Sequence, residues 1–185
     1  MRKTTRHEIK KAISLGIKVE KNGGKKNRDF YKLHIKTARN QKFVPFSKSF
    51  LKAQFDIFIR NNKAILYTAK YKNKTLAQAF VIFYGKEAVY HYGASTKEGR
   101  KYPGAYLIQW EAIKEAKKRG LTRYNLWGIS PIDSNDHRFA GLSLFKRGFG
   151  GKDIAYLPAQ DLIFDRPRYL INYFIEKSRR ILRRA

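Results

Sequence analysis

The chain has 185 residues and a net charge of +27, from 41 lysines and arginines against 14 aspartates and glutamates. So large a charge favours a polyanionic partner over a surface that is basic for solubility alone. Candidate partners are RNA, DNA, anionic lipid and a pyrophosphate-bearing substrate. There is no cysteine, so disulfides, thiolate metal sites and a cysteine nucleophile are excluded. Aromatic residues make up 15% of the sequence, which predicts one domain over residues 1–185 with a packed core rather than a disordered chain.

The first sixty residues have the spacing of helices. Apolar positions recur three and four residues apart, Gly16 is a helix stop, and Ser47 precedes a run with four phenylalanines and isoleucines on one face. We predict helices over residues 5–15, over 25–42 and from Ser47, with a strand over 17–20 and a turn at 22–24 between the first two.

The apolar period then changes to that of strands. Aromatic and β-branched runs are separated by Lys72-Asn73-Lys74 and by Gly85-Lys86-Glu87, as hairpin turns would separate them. This pattern predicts a three-stranded antiparallel meander over residues 64–70, 76–83 and 88–92.

The second half alternates helices and short strands. We predict helices over residues 103–119, 137–146 and 167–184, strands over 124–128, 154–157 and 160–164, a polar loop over 130–136 and a glycine-rich turn over 147–151. The whole order is typical of an α/β (α+β) GNAT-like acyltransferase domain, in which a mixed, mostly antiparallel central sheet is flanked by helices.

Several classes of site and location are disfavoured by the sequence. The basic, polar residues 1–11 do not form a secretory signal, and no apolar run approaches the ~20 residues that span a bilayer, so we expect a cytoplasmic protein. The four histidines lack ligand spacing, and no hydrolase elbow, Walker loop or Rossmann fingerprint is present. We therefore expect no metal and no bound cofactor.

The strongest pattern consists of three blocks in fixed order. They are Leu107-Ile108-Gln109-Trp110 on a helix, Tyr124-Asn125-Leu126-Trp127-Gly128 on a strand, and the segment from Gly141-Leu142 through Phe145-Lys146 to Gly148-Phe149-Gly150-Gly151. Together they resemble the FemABX peptidoglycan aminoacyltransferases. The opening residues 3–17 are similar to the start of that family's second GNAT-like domain, so the resemblance covers nearly the whole chain but only about half of a typical member.

The resemblance implies an activity and a set of site residues. The family transfers an aminoacyl group from aminoacyl-tRNA, a co-substrate, to an amine on the stem peptide of a lipid-linked or UDP-linked muropeptide. Lys146 would stabilise the oxyanion of this acyl transfer or hold the terminal phosphate and ribose of the tRNA, and Phe145 would pack against the terminal adenosine or form a wall of the site. The residues expected to bind substrate are Thr4, Arg6, Tyr106, Gly148 and Gly150.

Other interpretations stay open at this stage. Residues 100–105 enter a helix where acetyl-CoA-binding GNAT proteins hold phosphate, but the spacing is one residue too long and Pro103 lacks an amide donor. An acyl-CoA N-acyltransferase and a non-catalytic RNA- or membrane-binding domain are therefore the alternatives. The basic, amphipathic last helix suggests contact with an anionic membrane surface at the inner face, and the short chain suggests a partner chain or self-association.

Overall fold

The computed structural model describes residues 1–22, 27–41, 43–132, 137 and 139–182. These residues fall into two compact units, Met1–Lys152 and Asp153–Ala185. The first unit holds the described strands and five of the helices. Residues 23 and 24 of the predicted turn and residues 133–136 of the predicted polar loop lie outside the described residues. The prediction of one domain over residues 1–185 stays a prediction.

A five-stranded sheet forms the centre of the first unit, and its strands are neighbours in chain order. Each of the first four strands is antiparallel to its neighbour among them, whereas the fifth strand pairs in parallel with the fourth. This confirms the mixed, mostly antiparallel sheet and its three-stranded meander. The strands are β1 (Lys18–Asn22), β2 (Ala64–Tyr71), β3 (Lys74–Tyr84), β4 (Glu87–Ser95) and β5 (Arg123–Asn125).

Helices cover both faces of the sheet. The first and fourth helices pack on one face together with each other, and the second and third pack on the opposite face. Ser47 caps the third helix by accepting a hydrogen bond from the amide of Phe50 at 3.2 Å. The helices are α1 (Lys3–Ser14), α2 (Asn27–Gln41), α3 (Lys48–Arg60), α4 (Gly104–Lys118), α5 (Ala140–Arg147) and, in the second unit, α6 (Arg166–Leu182).

Two hydrophobic cores result from the period-two alternation of the central strand. On β3, Val81 and Phe83 belong to the core under α1 and α4, whereas Phe80 and Ile82 belong to the core under α2 and α3. Phe80 stacks on Phe55 of α3 with ring centroids 3.9 Å apart. Both faces of the central strand are therefore buried, which makes the sheet a rigid support for the site at its edge.

The strands predicted over residues 154–157 and 160–164 were wrong. Neither segment is in a strand, and neither pairs with any part of the chain that the structure describes. A short apolar run is compatible with a strand, but a strand also needs a neighbour to accept and donate its backbone hydrogen bonds, and the run itself does not supply one. None of the described helices combines the length and apolar content needed to cross a bilayer.

Candidate acyl-transfer site

A cavity of about 780 Å³ opens where two parallel strands separate. β5 pairs with β4 only from Glu87 to Val89, and its pairing ends at Asn125. Beyond these residues the wall of the cavity continues along β4 on one side and through Trp127 on the other. The start of α4, one face of α5 and parts of α1 and α2 complete the lining.

A β-bulge interrupts β4 where this strand lines the cavity. Phe80 pairs with Tyr92 and Val81 pairs with Tyr90, so His91 is the extra residue of the bulge. All three β4 residues line the cavity, while Tyr90 packs against the core under α1 and α4 and Tyr92 against the core under α2 and α3. The hydroxyl of Tyr90 packs on Gly93, where a Cβ would overlap it. Burial raises the pKa of Tyr90 to about 12, so this phenol stays neutral in the physiological range.

Lys146 lies at the base of the cavity on α5. Its side chain is only 6% exposed, and its Nζ donates a hydrogen bond to the carbonyl oxygen of Gly128 at 2.6 Å. The Nζ also lies 5.9 Å from the ring centre of Tyr90. Burial lowers the pKa of Lys146 from 10.5 to about 8, because a desolvated ammonium is costly. The Lys146 side chain is thus still mostly charged at neutral pH, but its ammonium group is partly desolvated.

The segment after β5 is also hydrogen-bonded to α5 through Ser143 and Arg147. The amide and the hydroxyl of Ser130 donate to the hydroxyl of Ser143 at 2.8 and 2.9 Å, and Arg147 donates to the Ser130 carbonyl at 2.7 Å. Within the turn, Trp127 has a φ of +66°, and its amide donates to the side chain of Asn125 at 2.8 Å. This left-handed backbone conformation is rare in residues other than glycine. It indicates a turn whose conformation is maintained by the surrounding contacts.

Aromatic rings from α4 and α5 form a further wall. Tyr106 meets Phe145 edge to face at 4.8 Å, and Phe145 meets Phe149 edge to face at 5.3 Å. Tyr106 and Phe145 both line the cavity with Lys146. Three of the seven residues predicted for the site are therefore brought together here.

The other four predicted residues lie outside the lining of this cavity. Thr4 and Arg6 are exposed on α1, and Arg6 donates to the carbonyl oxygen of Met1 at 2.5 Å. Gly148 is buried against Thr5, and Gly150, with a φ of +81°, packs against Met1. The two glycines hold the N-terminal segment close to α5, and the substrate-binding role predicted for all four residues stays a prediction.

Sequence reasoning missed the carboxylate of Glu8 and the aromatic residues of β4, which also line the cavity. A bulge has no reliable local pattern, and Glu8 is one of several charged residues on an N-terminal helix. Arg100 and Lys101, which precede the helix start at Pro103 and Gly104, also line the cavity.

Neither a metal cluster nor a typical pyrophosphate loop is found in this region. Among the described residues, no group of three or more histidines and carboxylates could hold a metal ion. At the start of α4, Pro103 has no amide proton, and the amide of Gly104 already donates to the carbonyl oxygen of Tyr102 at 2.8 Å. Two of the donors that a helix entrance offers to a phosphate are therefore lost.

The fold is that of the GNAT acetyltransferases. A crystal structure of FemX superimposes with a TM-score of 0.73 at 19% identity, over 80% of this chain and 54% of that one. A predicted acetyltransferase with acetyl-CoA from Clostridium acetobutylicum gives a TM-score of 0.62 at 16% identity, over 78% of this chain and 96% of that one. Likeness at these identities establishes the architecture alone, and it confirms the fold predicted from the sequence.

Sequence similarity gives the family. A sequence model of the FemAB family matches residues 59–176, and the chain belongs to that family, as the sequence motifs predicted. The aminoacyltransferase FemA of Staphylococcus epidermidis is 31% identical over 105 residues, which are 57% of this chain and 25% of that protein. FemA of Staphylococcus aureus is 37% identical over 71 residues, or 38% of this chain and 17% of that protein. The match thus covers about a quarter or less of the length of these relatives.

Proposed function

We propose that this protein is an aminoacyltransferase that moves an aminoacyl group from the 3′ end of aminoacyl-tRNA to an amine on the stem peptide of a peptidoglycan precursor. The observation that carries the proposal is Lys146, a largely desolvated ammonium at the base of a cavity large enough for an aminoacyl nucleoside. Membership of the FemAB family and the names of the FemA relatives support the same reaction class.

The chemistry follows from the position of the ammonium. The acceptor amine attacks the ester carbonyl carbon, a C–N bond forms, and the carbonyl oxygen gains negative charge. Lys146 has three N–H donors, of which one is used on Gly128, so it can donate to this oxyanion without giving up its own support. The C–O bond to the ribose then breaks, the ribose hydroxyl regains a proton, and the amine loses one.

The remainder of the cavity suits an RNA end. Arg100 and Lys101 supply positive charge at its rim for phosphate oxygens. Trp127 is 55% exposed and meets His91 edge to face at 5.5 Å, so it offers an open ring face on which a base could stack. A chain with a net charge of +27 is well matched to a polyanionic donor.

An acyl-CoA donor is the alternative and has less support. The GNAT fold is shared with a predicted acetyltransferase described with acetyl-CoA. However, Pro103 and Gly104 withhold two of the amides at the helix entrance that would face a pyrophosphate. A thermal-shift titration separates the donors, because coenzyme A should stabilise the folded protein only if it binds there.

A direct assay tests the proposal. The full chain is mixed with aminoacyl-tRNA labelled in the amino acid and with a lipid-linked or UDP-linked muropeptide, and the muropeptide is examined for label by mass spectrometry. We expect an amide-linked aminoacyl group on the stem peptide and no such product from acetyl-CoA. Transfer from acetyl-CoA alone would replace the proposal with an N-acetyltransferase, and transfer from neither donor would leave a binding domain.

A further inference from the structure

Glu8 is an acidic residue in an otherwise basic cavity. Among the described residues that line the cavity, it is the one carboxylate, and it shares the lining with the cations Arg100, Lys101 and Lys146. A negative charge in such surroundings does not help to bind a phosphate or an oxyanion. Its presence therefore suggests that part of the ligand is positively charged.

The packing of α1 fixes where Glu8 points. Thr5, Ile9 and Ala12 form the buried face of α1, and Glu8 stands beside Ile9 at the edge of that face. α1 packs against α4, which brings Glu8 near Tyr106. The pKa of Tyr106 is raised mainly by burial and further by the charge of Glu8, which is a second sign that the two groups are close.

The carboxylate of Glu8 is not paired with any residue that the structure describes. Within the ranges that the structure describes, Glu8 forms neither an ion pair nor a hydrogen bond, although ion pairs engage other acidic residues such as Glu20, Glu111 and Glu115. The charges of Arg2 and Glu8 both act on the Tyr106 hydroxyl, but the Arg2 guanidinium donates to the carbonyl oxygen of Leu144. A carboxylate that lines a basic cavity and is not engaged by a described residue is the kind of group that a bound cation would pair with.

We propose that Glu8 binds the α-ammonium of the aminoacyl group that the protein transfers, and so selects donors with a free amine. This inference rests on the proposed function and adds the group that recognises the donor. In an aminoacyl ester the ammonium is bonded to the carbon next to the ester carbonyl. Because Glu8 and Lys146 line the same cavity, the proposal places the cation of the ligand at Glu8 and its developing oxyanion at Lys146. Acetyl and other simple acyl groups carry no such cation and gain nothing from Glu8.

The main competing role is that of a general base toward the acceptor amine. The two roles differ in what they recognise. An ammonium site distinguishes donors before any acceptor is present, whereas a base acts only on the acceptor and is indifferent to the donor's amine. Donor binding without acceptor therefore separates them.

The experiment compares two stable donor analogues on the full chain. Each is a short fluorescent RNA with a tRNA 3′ end and an amide in place of the ester, and one carries alanyl while the other carries propionyl, which lacks only the ammonium. At about pH 6.5 the α-amine is protonated. We expect fluorescence anisotropy to show about tenfold tighter binding of the alanyl RNA by the unaltered protein, as a charge-assisted contact would give.

Three variants complete the test. Glu8→Gln should bring the alanyl-to-propionyl ratio close to one, and Glu8→Asp, which keeps the charge, should retain part of the preference. Glu111→Gln removes an equal charge on α4 outside the cavity lining and should leave the ratio unchanged. Circular dichroism confirms that each variant is folded.

The contrary outcomes are distinct. An unchanged preference in Glu8→Gln, or equal binding of both analogues by the unaltered protein, would overturn the inference while leaving the aminoacyl-tRNA donor intact. Binding of neither analogue by the unaltered protein would contradict the proposed function itself and the role of Glu8 with it.

Discussion

The Nζ of Lys146 lies 2.6 Å from the carbonyl oxygen of Gly128, and this hydrogen bond joins α5 to the turn that follows β5. It holds a buried ammonium in one orientation beside the gap between β4 and β5. A lysine on a free helix surface would lose rotamer entropy each time it met a ligand, whereas this one is already ordered. Under the proposed function, this arrangement would pre-position Lys146 as a donor to the oxyanion.

Burial of Lys146 should be measurable as a pH dependence of stability. The pKa of Lys146 is lowered to about 8 in the folded protein, so between pH 8 and 10.5 the folded state has lost a proton that the unfolded chain still holds. The free energy of unfolding therefore rises with pH in this window because of Lys146. Relative to Lys146→Met, we expect a rise of about 2 kcal/mol.

Urea unfolding of both proteins at several pH values checks this expectation. Other lysines and tyrosines titrate in both proteins, so their contribution cancels in the difference. A difference in the free energy of unfolding that stays flat from neutral to alkaline pH would mean that Lys146 is well solvated.

The close contact between Gly148 and α1 predicts a selective loss of stability. A Cβ on Gly148 would overlap the Thr5 hydroxyl and crowd the backbone carbonyl of Phe145. We expect Gly148→Ala to lower the free energy of unfolding by about 2 kcal/mol, as overpacking does. Gly141 in α5, the helix that Gly148 caps, is the control, because nothing lies within 4 Å of its added Cβ.

Gly141→Ala should be neutral or stabilising by up to about 1 kcal/mol, because alanine is the better helix former. Thermal and urea unfolding of the two variants gives the comparison. Equal changes in the free energy of unfolding for the two substitutions would show that the close contact between Gly148 and α1 does not contribute to stability.

Binding of RNA should depend steeply on salt. If the positive charge of the protein engages phosphates, each contact releases counterions, and the logarithm of the association constant should fall linearly with the logarithm of salt concentration, with a slope of about −3 to −6 for four to seven contacts. Filter binding or anisotropy with charged tRNA measures the slope. A slope near zero would show that the protein does not bind RNA through phosphate contacts.

Much of the fold could be predicted because it depends on local patterns. The change from helical to alternating spacing near Ala64, and the turn residues between the strands, fixed the meander within a few residues of its true ends. Gly16 and Gly120 both end helices with positive φ, as a helix stop requires. Lys146 and Phe145, which both line the cavity, were predicted for the site through their resemblance to a family motif and not through their chemistry alone.

The missed features depend on contacts between distant parts of the chain. Glu8 lines the cavity only because α1 packs on α4, and the bulge at His91 is visible only in the pairing of β3 with β4. The strands expected over residues 154–157 and 160–164 failed for the same reason, since strand formation depends on a partner elsewhere in the chain.

The most direct test of the account is single-turnover transfer of a labelled aminoacyl group by the unaltered chain, Lys146→Ala and Lys118→Ala. Lys118 is an exposed lysine of α4 outside the cavity lining, so its loss controls for the change in net charge. We predict that Lys146→Ala remains folded and binds tRNA but transfers at least about a hundredfold more slowly, as loss of an oxyanion donor does, while Lys118→Ala transfers normally. Transfer by Lys146→Ala at the unaltered rate would contradict the central role of this ammonium.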